Sequence, residues 1–306
     1  TEETNATPSI AVSGTGDFAT VFIAAGWLTV NWDLYQYEWT LIFMYSTNAG
    51  QTITYDYFTP DGYQDLWPDV AMNNGLVHFL NAEVDYYSGE TEILMASDVY
   101  NGSFGDLGYF TGYTSNNTGF PQIACQDENV YIVFQEDYTD GMVADGDIIY
   151  VYSWDAGETF YGPFGLIADE YESVGPSVFT KDGVVGVLWL DAPPGDDEFW
   201  LASRLGSGFG HTDFLSEVVV VSDQPRVEPM FHSCFGAATA ERMHAAWIDR
   251  RDFPTQGHNV YTSSRPVAAN LAPFTPAGWD TCLVANMVRG QRQQGILAAG
   301  DTTFIS

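Results

Sequence analysis

Three carboxylates, Glu136, Asp191 and Asp249, each close a short apolar run: Val130 to Glu136, Val184 to Asp191, and Met243 to Asp249. Two earlier runs of the same kind, Ala19 to Ala24 and Leu76 to Asn81, close on Ala24 and Asn81. Carboxylates recurring at the end of one strand type suit paired acid and base work. Glycoside hydrolysis needs one carboxyl to protonate the leaving oxygen and a second as nucleophile or base. Acids thicken behind Glu136, with Asp137, Asp140, Asp145 and Asp147 in quick succession, and Asp196, Asp197 and Asp252 lie in the later loops. Hard oxygen donors of this kind fit Ca2+, although the spacing is not that of an EF-hand. Glu136, Asp191 and Asp249 are therefore candidate catalytic residues. Glu136, Asp137, Asp140, Asp145, Asp147, Asp191 and Asp249 are candidate Ca2+ ligands, and a solvated acidic surface is the plainer alternative.

Other reactive side chains carry less. His232 and His244 have no evident third ligand and read as core or channel-lining groups rather than a metal or acid–base pair. The three cysteines contain no C-x-x-C pair. Cys234 and Cys282 are open to one disulfide, and Cys125 reads as a buried thiol.

The chain has 306 residues, 41 acidic and 9 basic, for a formal net charge of −32. Lys181 is the only lysine and the arginines begin at Arg204, so residues 1 to 180 carry 27 acids and no lysine or arginine. Such a surface repels phosphate backbones and anionic headgroups, which excludes nucleic acid and membrane surfaces as partners. Cations, basic partners and neutral sugars fit it. The longest mostly apolar run, Ala19 to Val30, is too short for a bilayer-spanning helix. An opening without methionine, Thr1-Glu2-Glu3-Thr4, and sequons at Asn5, Asn101 and Asn116 lead us to expect an extracellular or cell-surface protein.

A repeat positions these residues. Proline followed by a short apolar strand recurs at Pro8, Pro68, Pro121, Pro176 and Pro229. Each is followed by one of the apolar runs above, then by a strand placed to end at Ser46, Ser97, Ser153, Ser203 or Ser263. Fourth strands are suggested at Phe160 to Ile167 and Glu217 to Ser222. Four short strands per unit of roughly 50 residues describe a blade of a β-propeller. The expectation is an all-β chain, 1 to 306, forming one propeller domain. Thr281 to Ala285, Gly295 to Ala299 and Thr302 to Ile305 then form an incomplete sixth blade, the alternative being five blades and a tail.

The turn Ser153-Trp154-Asp155-Ala156-Gly157-Glu158-Thr159-Phe160 resembles the S-x-D-x-G-x-T-F Asp box of the sialidase-like (BNR) propeller family, and Ser46 to Ile53 is a weaker copy with Asn48 for the aspartate. The resemblance implies that the active face lies opposite the Asp boxes. In that family three arginines clamp the substrate carboxylate, the first of them in the first blade. Here Thr7-Pro8-Ser9-Ile10 stands in its place and no arginine precedes Arg204, so a true sialidase is not expected. The sequence thus points to a non-catalytic extracellular propeller, a filament or coat subunit or a recognition protein. Its partners would be other copies of itself, through Thr1 to Thr7 and Gly290 to Ser306, or glycans. The alternative is a sialidase-like glycoside hydrolase with a carboxylate-based site.

Overall fold

A computed structural model describes residues 8–31, 36–58, 63–85, 90–98, 108–109, 117–139, 144–167, 172–192, 198–206, 219–222, 227, 234–239, 242–249, 259–266, 280–286, 296–299 and 302–305. Five four-stranded antiparallel sheets follow one another along the chain, each in simple strand order. The first holds β1 (Ser9–Ser13), β2 (Thr20–Asn31), β3 (Gln36–Ser46) and β4 (Thr54–Phe58). The second holds β5 (Tyr63–Asn73), β6 (Leu76–Asp85), β7 (Thr91–Asp98) and β8 (Gly108–Tyr109). The third holds β9 (Asn117–Gln126), β10 (Asn129–Thr139), β11 (Ala144–Ser153) and β12 (Tyr161–Ile167). The fourth holds β13 (Glu172–Lys181), β14 (Val184–Ala192), β15 (Trp200–Gly206) and β16 (Val219–Val220). The fifth holds β17 (Cys234–Ala238), β18 (Arg242–Asp249), β19 (Asn259–Pro266) and β20 (Asp280–Asn286). A two-stranded sheet, β21 (Ile296–Ala299) and β22 (Thr302–Ile305), follows.

The first strands lie next to one another in the order β1, β5, β9, β13, β17, β21, so each sheet radiates from a shared axis. This is the all-β propeller architecture expected from the repeat. Apolar residues alternate in and out along the second and third strands, and both faces of the middle sheets are covered, which gives nearly unbroken apolar runs. Phe22, Phe43 and Phe79 fill the space between the first and second sheets, and Val130, Ile132 and Phe134 that between the second and third. Trp189 sits between the third and fourth sheets and Trp247 between the fourth and fifth, both fully buried. Burying one such side chain stabilises the fold by roughly 1.5–3 kcal/mol.

The repeat prolines have a structural reason. Strand register slips between Leu66 and Asp69, opposite Val133 to Gln135, and between Val174 and Ser177. Pro68, Pro121 and Pro176 fall in these bulges, where a missing N–H costs no ladder bond. The preceding residues, Trp67, Phe120 and Gly175, have φ of 53°, 52° and 61°. Glycine accepts that conformation freely, whereas a bulky side chain there costs on the order of 1–3 kcal/mol.

Four sequence expectations are corrected by register. Cys234, five residues before its turn, stands where the first four units have proline, so Pro229 is not the fifth unit's landmark; Pro229 to His232 lie outside the described residues. β15 and β19 run past Ser203 and Ser263 to Gly206 and Pro266, because serine marks a strand end only where a box turn follows. The segment Thr281 to Ala285 is the fourth strand of the fifth sheet, paired with β19, and does not start a sixth. Its Cys282 therefore belongs to the same sheet as Cys234, whose thiol is free and donates to Gly175 O at 3.3 Å, so the disulfide is not formed.

Candidate functional site

Two turns of equivalent geometry mark one end of the sheets. Between β11 and β12, Ser153 Oγ donates to Asp155 Oδ1 at 2.6 Å and accepts from Gly157 N, while Asp155 Oδ1 accepts from Thr159 N at 2.8 Å. Between β3 and β4, Ser46, Asn48, Gly50 and Thr52 repeat every one of these bonds. The Ser153 hydroxyl and the Thr159 N–H hold the Asp155 carboxyl below its usual range. The turns joining first and second strands lie at this same end: Ala156 N donates to Glu128 O, Asn73 Nδ2 to Asp127 O, and Thr180 Oγ1 to Gln126 Oε1. Asp191 closes β14 at the end away from such a turn, so Asp155 and Asp191 mark opposite ends.

At that opposite end a row of carboxylates crosses four sheets. Each second strand from the second sheet on starts after a two-residue turn, at Leu76, Asn129, Val184 and Arg242. Seven residues later stand Glu83, Glu136, Asp191 and Asp249. The sequence alignment had Asn81 in this column. Register moves the second sheet's position to Glu83, because apolar endings of strands do not count residues from the turn. All four share the alternation of Val77, Val130, Val185 and Met243, whose side chains face the preceding sheet.

The row's neighbours differ from sheet to sheet. In the second sheet Glu83 pairs directly with Glu92 of β7, and both are buried. Burial, reinforced by the charge of Glu83, pushes the Glu92 carboxyl up to about 7. Opposed carboxyls on adjacent strands are within interaction range, so one of them keeps its proton. Next to Glu92, Thr91 Oγ1 accepts from Thr118 N at 2.5 Å and shares a 3.0 Å bond with Thr118 Oγ1. Thr118 pairs with Glu136, so this contact ties the second sheet's row to the third sheet's.

In the third sheet Glu136 pairs with Asp147, both half-buried. Asp137 and Asp145 occupy strand positions opposite Gly146 and Tyr138, with side chains outside the described residues; Asp140, Asp196, Asp197 and Asp252 lie outside them entirely. Asp191 is half-buried and accepts from Ser173 Oγ at 2.8 Å. Asp249 is fully buried and accepts from Trp247 Nε1 at 3.3 Å, which suits a packing role. Glu136, Asp191 and Asp249 thus stand one to a sheet. Among the described residues no group of three or more His, Cys, Asp or Glu is placed to hold a metal ion. His244 is buried in β18, and His232 lies outside the described residues.

Sequence reasoning passed over Glu83, Glu92 and Asp69. The available signal was an acid inside an otherwise apolar strand, as in LVHFLNAEVD and TEILMASD. Among ordinary strands such residues face water, and only the ring of neighbouring sheets buries them here.

No known family's sequence model matches the chain, and no curated protein matches its sequence. Solved structures do match in fold. An α-L-arabinofuranosidase of Fusarium graminearum superposes with a TM-score of 0.63 at 11% identity, covering 94% of this chain and 83% of that one. An α-L-arabinanase of Penicillium chrysogenum gives 0.57 at 9%, covering 84% and 88%. A Trypanosoma rangeli sialidase gives 0.60 at 12%, covering 97% of this chain and 50% of that one. The sialidase-like propeller fold is thereby supported at 9–12% sequence identity. The expectation of a non-catalytic assembly subunit is corrected. The solved structures named above are an arabinofuranosidase, an arabinanase and a sialidase, and the strand assigned to an open terminal blade is paired within the fifth sheet.

Proposed function

We propose that this chain is a glycoside hydrolase acting on neutral glycans, with arabinofuranosides the first substrates to test. The observation that carries it is the Glu83–Glu92 pair. A carboxyl whose proton is held to about pH 7 is in the state a general acid needs at neutral pH. In this reading Glu92 protonates the leaving oxygen, and burial together with the charge of Glu83 keeps its proton affinity high. Glu136 or Asp191, half-buried in the same row of the next sheets, acts as nucleophile or base. The lack of any arginine before Arg204 favours a neutral sugar over one with a carboxylate. The arabinanase and arabinofuranosidase names of two fold neighbours guide the choice of substrate.

The test is hydrolysis of aryl α-L-arabinofuranosides and a panel of other neutral aryl glycosides. Glu92→Gln is expected to lower kcat by about 10^3-fold, the middle of the range for loss of general acid catalysis. Turnover of none of these substrates, or full activity in Glu92→Gln, overturns the assignment.

A further inference from the structure

We infer that the face of the first sheet turned away from the second sheet is a self-association surface, on which a second copy of this chain packs about a two-fold axis. One row of this face crosses all four strands as Ile10, Ile23, Met44 and Tyr55. Val12 with Val21 flanks it on one side and Ile42 with Tyr57 on the other. Ile53 continues the alternation of Tyr55 and Tyr57 one step before β4. Ile10, Val12, Ile53, Tyr55 and Tyr57 are 61, 55, 53, 67 and 57% exposed.

The equivalent positions are buried one sheet further on. Ile10 and Val12 pair with Ile23 and Val21 as Val70 and Met72 pair with Phe79 and Val77 in the second sheet. There Val70, Val77 and Phe79 pack against the first sheet, and Val70 is only 5% exposed. On its own far side the first sheet has as its ring neighbour the two-stranded sheet of β21 and β22, in which β21 packs on β17 and β18 of the fifth sheet. Ile10 and Val12 stay uncovered beside it.

Size and charge select the occupant. The exposed surface of these side chains is on the order of 700 Å2, more than a monomer usually leaves in one apolar patch and close to the share of one partner in a standard interface. Asp56 pairs with Phe43 and so belongs to the other face, and no described residue of the row or its flanks is charged. A partner chosen by charge gains nothing on such a surface, whereas an identical copy brings an identical uncharged row. The net charge of −32 opposes approach of two copies through their acidic surfaces, which leaves this face as the contact. A two-fold axis sets the two sheets face to face at about 10 Å, with their Ile, Val and Tyr side chains interdigitated. Glu83 and Glu92 face the other side of the first sheet, so association and hydrolysis are separable.

The experiment is sedimentation velocity of the full chain across a micromolar concentration series, at low and at high salt. A dimer is expected, and it should tighten with salt as the like charges are screened. Ile10→Asp and Tyr55→Asp should each weaken it by about 100-fold in Kd, because each buries an unpaired charge in the contact. Trp154→Ala, which removes an exposed aromatic ring of the third sheet, should leave the dimer unchanged. Near-UV circular dichroism checks that both aspartate variants fold, and Tyr55→Asp, on the outermost strand, carries the test if Ile10→Asp does not. A monomer at every concentration, polymers that grow beyond the dimer, or a dimer untouched by the folded aspartate variants overturns the inference.

Discussion

Ser9 Oγ donates to Asp69 Oδ1 at 2.5 Å, and the other oxygen of Asp69 accepts from Ile123 N at 2.8 Å, so one buried carboxyl joins the first strands of three successive sheets. Burial pushes Asp69 up to about 6 against the opposing pull of these bonds and of Val70 N–H. The folded state therefore binds more protons than the unfolded state between pH 4 and 6. This group's contribution to stability falls as pH rises through that window.

Asp69→Ala should destabilise the fold by about 3 kcal/mol, because it leaves the Ser9 hydroxyl and the Ile123 N–H without their acceptor and the Val70 N–H with Ser9 Oγ alone. Asp69→Asn should cost less and should remove the decline between pH 4 and pH 6. Urea unfolding at both pH values measures each effect, and an unchanged decline in Asp69→Asn would assign it to another group.

His78 works in the opposite direction. Burial lowers its pKa to about 4, and its Nδ1 lies 2.8 Å from Ser97 Oγ. Folding excludes a proton that the unfolded chain binds, so this stability is present above pH 6.5 and is lost as pH falls toward 4, by on the order of 3 kcal/mol in full. His78→Gln should flatten that acid-side loss in Tm relative to the wild type. A variant with the same acid sensitivity as the wild type would contradict it.

Gly157 and Gly183 separate two reasons for glycine. Both have positive φ, +89° and +79°, but a Cβ on Gly157 would stand 2.8 Å from Ser97 Oγ whereas one on Gly183 meets nothing within 4 Å. Alanine at Gly183 should cost about 1 kcal/mol, from backbone conformation alone. Alanine at Gly157 should cost about 3 kcal/mol, since it also forces the second and third sheets apart. Equal losses of stability in the two variants would show that the contact between sheets is soft.

Glu83→Gln tests the carboxyl pair without removing the proposed acid. Neutralising Glu83 removes its repulsion, so the Glu92 pKa falls and the alkaline limb of the kcat profile should move to lower pH, with the activity near pH 5 largely kept. A limb that stays in place would mean that burial alone sets the Glu92 pKa.

The chain's own order of residues settled the four-stranded repeat, the alternation that buries Val77, Val130, Val185 and Met243, and the turn chemistry of Ser153, Asp155 and Gly157. These are local: periodicity two, proline in a bulge, and glycine at positive φ are decided within a few residues. Glu136, Asp191 and Asp249 were also legible as one column, since each ends an apolar run. The pairing of Glu83 with Glu92, the burial of Asp69 among three strands, and the true positions of Cys234 and Cys282 were not. Each depends on strand register or on a neighbouring sheet some fifty residues away, and register is fixed by packing in three dimensions. The same packing that buries Glu92 beside Glu83 raises its proton affinity, so its chemistry is a property of the assembled sheets and of no single strand.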